Sequence, residues 1–172
     1  MHDKTSSSDK IAIKLNGKTV YSDMADTIDA NSSSAQFNVT ITLKDKDGNI
    51  KHEKKVHNLV TQAGKNAIAD QVLASPTLAK AGWMAVGTGT PAATLLGAEI
   101  SRVALTSKTR SGSVLTFQGD WGAGVATGAI TEAGIFDVVT ANTVNMWASQ
   151  NFSVINKSST DTLSIVWTLT LS

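Results

Sequence analysis

The sequence predicts a mainly β protein: an antiparallel, jelly-roll-like β-sandwich with one short α-helix near residues 62–74 and an N-terminal β-hairpin arm. In the closing stretch DTLSIVWTLTL, apolar residues alternate with threonine and serine, which is the period of a half-buried strand. The same period of two runs through residues 37–44, FNVTITLK. Asn-Gly and Asp-Gly pairs separate strand-like segments and supply the residues that tight hairpin turns need.

The first elements in chain order are hairpins. The segments IAIKL and KTVY flank Asn16-Gly17, which predicts two short antiparallel strands joined by a two-residue turn. Asp47-Gly48 predicts a second hairpin turn, directly after the strand over residues 37–44. We expect the apolar faces of that strand and of the last one to be buried; they comprise Phe37, Val39, Ile41 and Leu43, and Leu163, Ile165, Trp167, Leu169 and Leu171.

One segment departs from the strand pattern. In TQAGKNAIADQVLAS, apolar residues including Ala67 and Val72 recur at roughly helical spacing. Thr61 is a suitable N-cap, because its hydroxyl can accept a hydrogen bond from the first helical turn. Pro76 stops the run just beyond Ser75. These features predict one helix over residues 62–74.

The remaining elements are short strands separated by clusters of glycine, proline, asparagine or aspartate. They are predicted at residues 83–87, 99–107, 113–118, 129–138 and 144–152, ahead of the last strand. Several short strands with frequent turn signals are typical of an antiparallel sandwich.

Charge divides the chain of 172 residues into two parts. Residues 1–57 contain 17 charged side chains, whereas residues 58–172 contain 12. We therefore predict a charged N-terminal arm over residues 1–57 and a β-sandwich body over residues 58–172. The net charge of +1 gives no sign of a nucleic-acid or membrane partner, and no run of 18 apolar residues or signal-peptide pattern is present.

The residues that perform catalysis or bind metals are scarce. The chain has no cysteine, which excludes disulfides and thiolate sites, and its three histidines lack metal-ligand spacing. The DKDGN segment does not follow the register of a calcium loop. The glycine-rich VGTGTPAATLLGAE matches neither nucleotide-binding pattern. We predict no catalytic residue, metal site or cofactor.

Four further residues invite structural interpretations. Trp121, in QGDWGAG, is the best candidate for an exposed ring that stacks on sugar, although a core or subunit-contact role is favoured by the usual burial of tryptophan. Glu99 and Arg102 lie three positions apart, so in a regular strand they face opposite ways and do not pair. A cross-strand ion pair between Arg102 and Glu132 is the predicted alternative.

The chain from His57 onward resembles a family of small virion structural proteins of tailed bacteriophages. The resemblance covers about two-thirds of the chain and rests on HNLVTQAGKNAIADQVL, WMAVGTGTPAATLLGAEISRVAL, GAITEAGIFDV and MWASQNFSVINKSSTDTLSIVWTLTL. Similar loop and Glu-x-Gly-Leu-Phe patterns occur at the bases of tail-collar fibre proteins. The resemblance implies that certain residues shape the body without performing chemistry; they are Gly87, Gly89, Glu99, Arg102, Glu132, Gly134, Phe136 and Asp137.

The resemblance implies a non-enzymatic structural protein. We expect a capsid decoration, or cement, protein on the exterior of the virion, made in the host cytoplasm and bound to the major capsid protein or other virion subunits. A homo-oligomer, by resemblance a trimer, is expected, with no nucleic-acid or membrane partner. Two alternatives stay open: a tail, collar or fibre-base adaptor, and a virion-mounted carbohydrate-binding module.

Overall fold

The computed structural model describes residues 10–15, 18–23, 36–143 and 145–171. The chain divides into two compact units, residues 1–34 and 35–172. In the first unit, β1 (Lys10–Leu15) pairs with β2 (Lys18–Asp23) in an antiparallel two-stranded sheet. This confirms the two strands of the N-terminal hairpin, while the Asn16-Gly17 turn lies outside the described residues.

The second unit holds one helix and nine strands among its described residues. In chain order these are β3 (Gln36–Lys44), β4 (Ile50–Leu59), α1 (Gln62–Asp70), β5 (Trp83–Gly87), β6 (Glu99–Ala104), β7 (Ser107–Ser111), β8 (Val114–Trp121), β9 (Gly128–Phe136), β10 (Met146–Lys157) and β11 (Thr162–Thr170). One sheet has the order β4-β3-β11-β8-β7 and the other β10-β9-β5-β6. All strand pairs are antiparallel, so the predicted fold class is confirmed.

The core lies between the two sheets. Alternate residues of β3 and β11 are buried as predicted, and Phe37 packs edge-to-face on Phe117 and Trp167 at ring-centroid distances of 6.4 and 6.2 Å. Met84 and Ile135 of the four-stranded sheet belong to the same cluster. Leu171 is the exception to the predicted pattern, because it follows β11 and is 41% exposed.

The helix begins as predicted but ends earlier. The Thr61 hydroxyl accepts the Gly64 N–H at 3.0 Å, which confirms the N-cap. The helix stops at Asp70 rather than residue 74, because the Asp70 carboxylate accepts the backbone N–H groups of Thr77 and Leu78 and the chain turns around it. No helix in the described ranges is long and apolar enough to cross a lipid bilayer.

Strand boundaries differ most where the chain changes sheets. The single strand predicted over residues 99–107 is divided between β6 of one sheet and β7 of the other. The division falls at Leu105, whose N–H donates to Gly82, and Thr106, whose N–H donates to Gln118. The strands predicted at 113–118 and 144–152 extend to Trp121 and Lys157, and the strand predicted at 129–138 ends at Phe136.

The predicted division at residue 57 is wrong. Strand β3 pairs along its whole length with β11, so it is an interior strand of the five-stranded sheet. Four of the 17 charges that suggested an arm lie on β4, an edge strand of that sheet with Lys51, Glu53 and Lys55 exposed. Charged side chains are common on edge strands because they oppose unwanted pairing. The separate N-terminal unit comprises residues 1–34.

Candidate functional site

The residues predicted to shape the body converge on the outer face of the four-stranded sheet. In the middle of that sheet, Gly87 of β5 lies opposite Glu132 of β9 and Glu99 of β6. One step along, Ala85 lies opposite Gly134 and Arg102. Residues directly opposite one another in a sheet share a face, as do alternate residues of one regular strand, so one surface carries Gly87, Glu99, Arg102, Glu132, Gly134 and Phe136. We call this surface the outer-face site.

Glu132 is the centre of the outer-face site. Its side chain is fully buried, and its two carboxylate oxygens accept three backbone N–H groups. Oε1 accepts from Gly89 at 3.0 Å and Ala98 at 2.7 Å, and Oε2 accepts from Gly97 at 2.8 Å. Hydrogen bonds to a charged acceptor contribute about 1.5 to 3 kcal/mol each. Glu132 therefore holds the loop over residues 88–98 against the sheet.

The glycines of this loop allow close approach to the carboxylate. A Cβ atom at Gly87 would overlap Oε1 of Glu132, and one at Gly89 would lie 2.7 Å from the Ala98 nitrogen. Gly97 has the same constraint, since its Cβ would overlap the carbonyl oxygen of Thr90. The glycine-rich segment thus surrounds an internal carboxylate. Gly97 was not identified from the sequence, because its neighbours Leu96 and Ala98 carry no recognised glycine motif.

Glu99 and Arg102 form a buried ion pair, contrary to prediction. Arg102 Nε donates to Glu99 Oε1 at 2.8 Å and Nη2 to Oε2 at 2.7 Å, and the two side chains are only 3% and 2% exposed. The register explains the error: Val86 lies opposite Ser101 and Gly87 opposite Glu99, so Ile100 is an extra residue in β6. This bulge brings Glu99 onto the same face as Arg102.

The predicted pair between Arg102 and Glu132 is also wrong, because each group has other partners. Arg102 Nη1 donates to the Val138 carbonyl at 2.9 Å, and its guanidinium carbon lies 3.8 Å from the centre of the Phe136 ring. Glu99 Oε2 also accepts the Asn142 N–H at 3.1 Å. The ion pair therefore ties β6 to the segment that follows β9.

Asp137 lies beside this pair. Burial raises the pKa of its carboxyl, and the nearby Arg102 guanidinium partly opposes this rise. Its Oδ1 atom is buried without a hydrogen-bond partner in the described part of the chain. Asp137 consequently contributes less to the site than Glu132 or Glu99, although the sequence pattern placed all three together.

Gly134 and Phe136 belong to a second, smaller apolar cluster on the outer face. Phe136 packs with Ala85, Leu96 and Met146, and all four are almost fully buried. A Cβ atom at Gly134 would lie 2.9 Å from Met146 Sδ and 3.0 Å from Phe136 Cε2. The glycine therefore makes room for its larger neighbours, and Leu96 connects the 88–98 loop to this cluster.

Trp121 is a core residue. It is 1% exposed and packs in the main cluster between the sheets. The core role favoured from the sequence is confirmed, and the alternative of an exposed, sugar-stacking ring at this position is wrong. Its position at the end of β8 keeps it in the strand's buried alternation with Phe117 and Gly119, although QGDWGAG looks like a turn.

A second group of buried charges was missed from the sequence. Lys157 is 2% exposed, and its Nζ donates to the carbonyls of Gly122 at 3.0 Å and Asp161 at 2.7 Å. The Asp161 carboxylate accepts from Lys51 Nζ and the Ser158 N–H, and the Lys51 contact is the main reason that its pKa falls to about 2. In the sequence, the NKSSTD segment that contains Lys157 and Asp161 looks like an ordinary solvated turn.

Asp45 and His57, in the β3-β4 hairpin, make local hydrogen bonds. Asp45 Oδ1 accepts the N–H groups of Asp47 and Asn49, both at 2.9 Å, and Gly48 has a φ of 85°, which confirms the predicted hairpin turn. The His57 ring hydrogen-bonds Asn38 across the β3-β4 pair. Within the described residues, no three His, Cys, Asp or Glu side chains group as a metal site would require.

Comparisons with models of protein families, with curated proteins and with solved structures give no match to this chain. In the outer-face site, Glu132 binds loop amides, Glu99 and Arg102 bind each other, and both arrangements fix segments that lie across a sheet. These contacts hold the outer-face site in one shape.

Proposed function

We propose that the protein is a structural component of a tailed-phage virion, a capsid decoration subunit that stabilises the shell through protein–protein contacts. The observation that carries this proposal is the convergence of the residues on which the family resemblance rests. Gly87, Glu99, Arg102, Glu132 and Phe136 come from separate parts of the sequence and meet in the outer-face site. Sequence motifs whose residues pack together on one surface support an architecture shared with the phage family better than motifs spread over the fold would.

The use of charge in the body also supports a structural role. Glu132 accepts three amides, Glu99 and Arg102 form a two-bond pair, and Lys157 donates to two carbonyls. Such networks fix loops in one arrangement because breaking any member leaves a buried polar group without its partner. A subunit repeated over a shell benefits from loops of fixed shape, since every copy must meet the same neighbours.

The N-terminal unit supplies a means of attachment under this proposal. Its two-stranded sheet, β1-β2, is marginal as an independent structure in water, because two strands bury little apolar surface. Pairing with the sheet edge of a neighbouring subunit would add main-chain hydrogen bonds. The partners we propose are the major capsid protein or other virion subunits, and further copies of this chain in a homo-oligomer, by resemblance a trimer, on the exterior of the capsid.

An add-back experiment tests this function. Particles assembled without the protein are supplied with the purified full chain or with residues 35–172, whose folding is checked by circular dichroism. The proposal predicts that the full chain binds and raises the temperature at which particles release DNA. The shortened chain should fold but bind at least tenfold less. Failure of the full chain to bind would contradict the proposal.

A further inference from the structure

A cleft lies beside the helix, away from the outer-face site. It has a volume of about 310 Å³, at the lower end of the range for ligand sites. Its apolar lining comes from different elements: Ile68 of α1, Leu115 and Phe117 of β8, and Trp147 of β10. The cleft is therefore built by the tertiary fold and is suited to an apolar group of the size of one or two large side chains.

The charged groups of the cleft have one sign. Lys80 and Lys108 line it, and no acidic residue does so among the residues that the structure describes. Lys108 Nζ donates to the Ala81 carbonyl at 2.9 Å, which holds the ammonium group at the cleft wall. The carboxylate of Asp70, the last residue of α1, accepts the backbone N–H groups of Thr77 and Leu78 in the following turn. An apolar cleft with a positive rim favours an apolar ligand that carries negative charge.

Exposed apolar residues extend this surface beyond the cleft. Val72, Leu73 and Leu78 are 85%, 60% and 45% exposed, and they belong to the segment between α1 and Lys80. Gln71, which lines the cleft, donates from Nε2 to the Leu78 carbonyl at 3.0 Å, so the segment is tied to the cleft rim. Exposed apolar surface next to a cleft is typical of a protein interface. A small ligand confined to the cleft would leave these side chains uncovered.

We propose that this cleft docks a polypeptide segment of a partner subunit in which a large apolar side chain is flanked by aspartate or glutamate. The apolar side chain enters the space above Phe117 and Trp147, and the carboxylates lie near Lys80 and Lys108. The assignment rests on the proposed function, because it takes the partner to be a neighbouring virion subunit. It adds the recognised chemistry and the surface that recognises it.

Peptide binding to the whole 172-residue chain tests the chemistry directly. The probe is a fluorescein-labelled, C-amidated peptide, Glu-Asp-Leu-Phe-Leu-Asp-Glu, and its control replaces every acid with lysine. Fluorescence anisotropy should show at least tenfold tighter binding of the acidic peptide. A Gln71→Trp substitution, which places a large ring at the rim, should weaken that binding at least tenfold.

A matched pair of charge reversals locates the binding. Lys80 lines the cleft, whereas Lys65 lies on α1, whose Ile68 lines the cleft, without lining it itself, and both lysines are exposed. Lys80→Glu should weaken binding of the acidic peptide about fivefold, whereas Lys65→Glu should change it less than twofold. Unchanged melting temperatures would show that both variants are folded.

Several results would overturn the assignment. They are equal binding of both peptides, no binding of either, and equal weakening by the two charge reversals. Failure here is distinguishable from failure of the proposed function, because the add-back experiment does not use the peptide. A protein that binds particles, yet whose cleft ignores the acidic peptide, would retain its structural role and lose this docking site.

Discussion

The carboxylate of Glu132 accepts the backbone N–H of Gly97 at 2.8 Å, although the two residues are 35 positions apart in the chain. The same carboxylate accepts from Gly89 and Ala98, at the two ends of the 88–98 loop. One buried side chain thus closes the loop on itself and anchors it to β9. The shape of this outer surface therefore depends on Glu132 together with the loop's own Thr88–Ala98 backbone hydrogen bond and its buried Leu96.

Glu132→Gln removes the negative charge of this side chain and keeps its shape. The amide oxygen can still accept from two of the loop amides, but the amide nitrogen then faces a third donor. We expect unfolding free energy to fall by about 2 kcal/mol for Glu132→Gln and by about 4 kcal/mol for Glu132→Ala. Urea denaturation measures both values, and equal stabilities for all three proteins would contradict the anchor role.

Gly97→Ala tests the close approach in the same loop. The added methyl group would overlap the Thr90 carbonyl oxygen, so we expect a loss of about 2 kcal/mol in unfolding free energy. Gly122→Ala is the matched control, because a Cβ atom there meets nothing within 4 Å. If the two variants had the same thermal stability, the packing described for the loop would be incorrect.

Breaking the pair between Glu99 and Arg102 should be costly because both side chains are buried. Arg102→Met leaves the Glu99 carboxylate without its main partner, and we expect a loss of about 3 to 5 kcal/mol. Adding Glu99→Gln to Arg102→Met should recover part of this loss. A double-mutant cycle measures the coupling, and strictly additive losses would show that the two groups do not stabilise each other.

Asp161 should make stability depend on acidic pH. Its pKa in the folded protein is about 2, against the usual 3.8, so its carboxylate stabilises the fold above about pH 4 and loses that contribution as the pH falls through 2. Asp161→Asn should therefore lower the melting temperature at pH 7. The difference from the unaltered protein should shrink between pH 4 and pH 2, which thermal unfolding at a series of pH values measures.

Asp137→Asn is the control of opposite sign. Burial raises the pKa of Asp137, so its charged form opposes folding at neutral pH. Asp137→Asn should raise the melting temperature at pH 7, and this gain should fade when acid protonates the native carboxyl. If both substitutions destabilised the protein equally at every pH, the environments described for these two carboxyls would be incorrect.

The periodicity of the sequence predicts the sandwich core but not the polar contacts outside it. The alternating residues of β3 and β11 identify buried faces, because each strand has one face in the core. The pairing of Glu99 with Arg102 depends on the bulge at Ile100, the extra residue of β6. The residue types of this strand do not reveal that bulge. Counting positions along a regular strand therefore gives the wrong face for Glu99.

Long-range contacts also decide the roles that the sequence missed. The burial of Lys157 and Asp161 depends on Gly122 and Lys51, which are remote in the chain. Charge density near the N-terminus suggested one arm up to residue 57, but β3 pairs with β11, from the other end of the chain, and β4 pairs with β3. The charge density of a segment indicates how strongly water solvates it, but it does not indicate which strands pair with each other.

The most direct measurement of the central claim is the number of copies of this chain in purified, mature particles, obtained by quantitative mass spectrometry with labelled peptides. A capsid decoration subunit should be present on the order of hundreds of copies per particle, because it repeats with the shell lattice. A dozen copies or fewer would place it in the tail or collar instead. Its absence from the particles would contradict a structural role in the virion altogether.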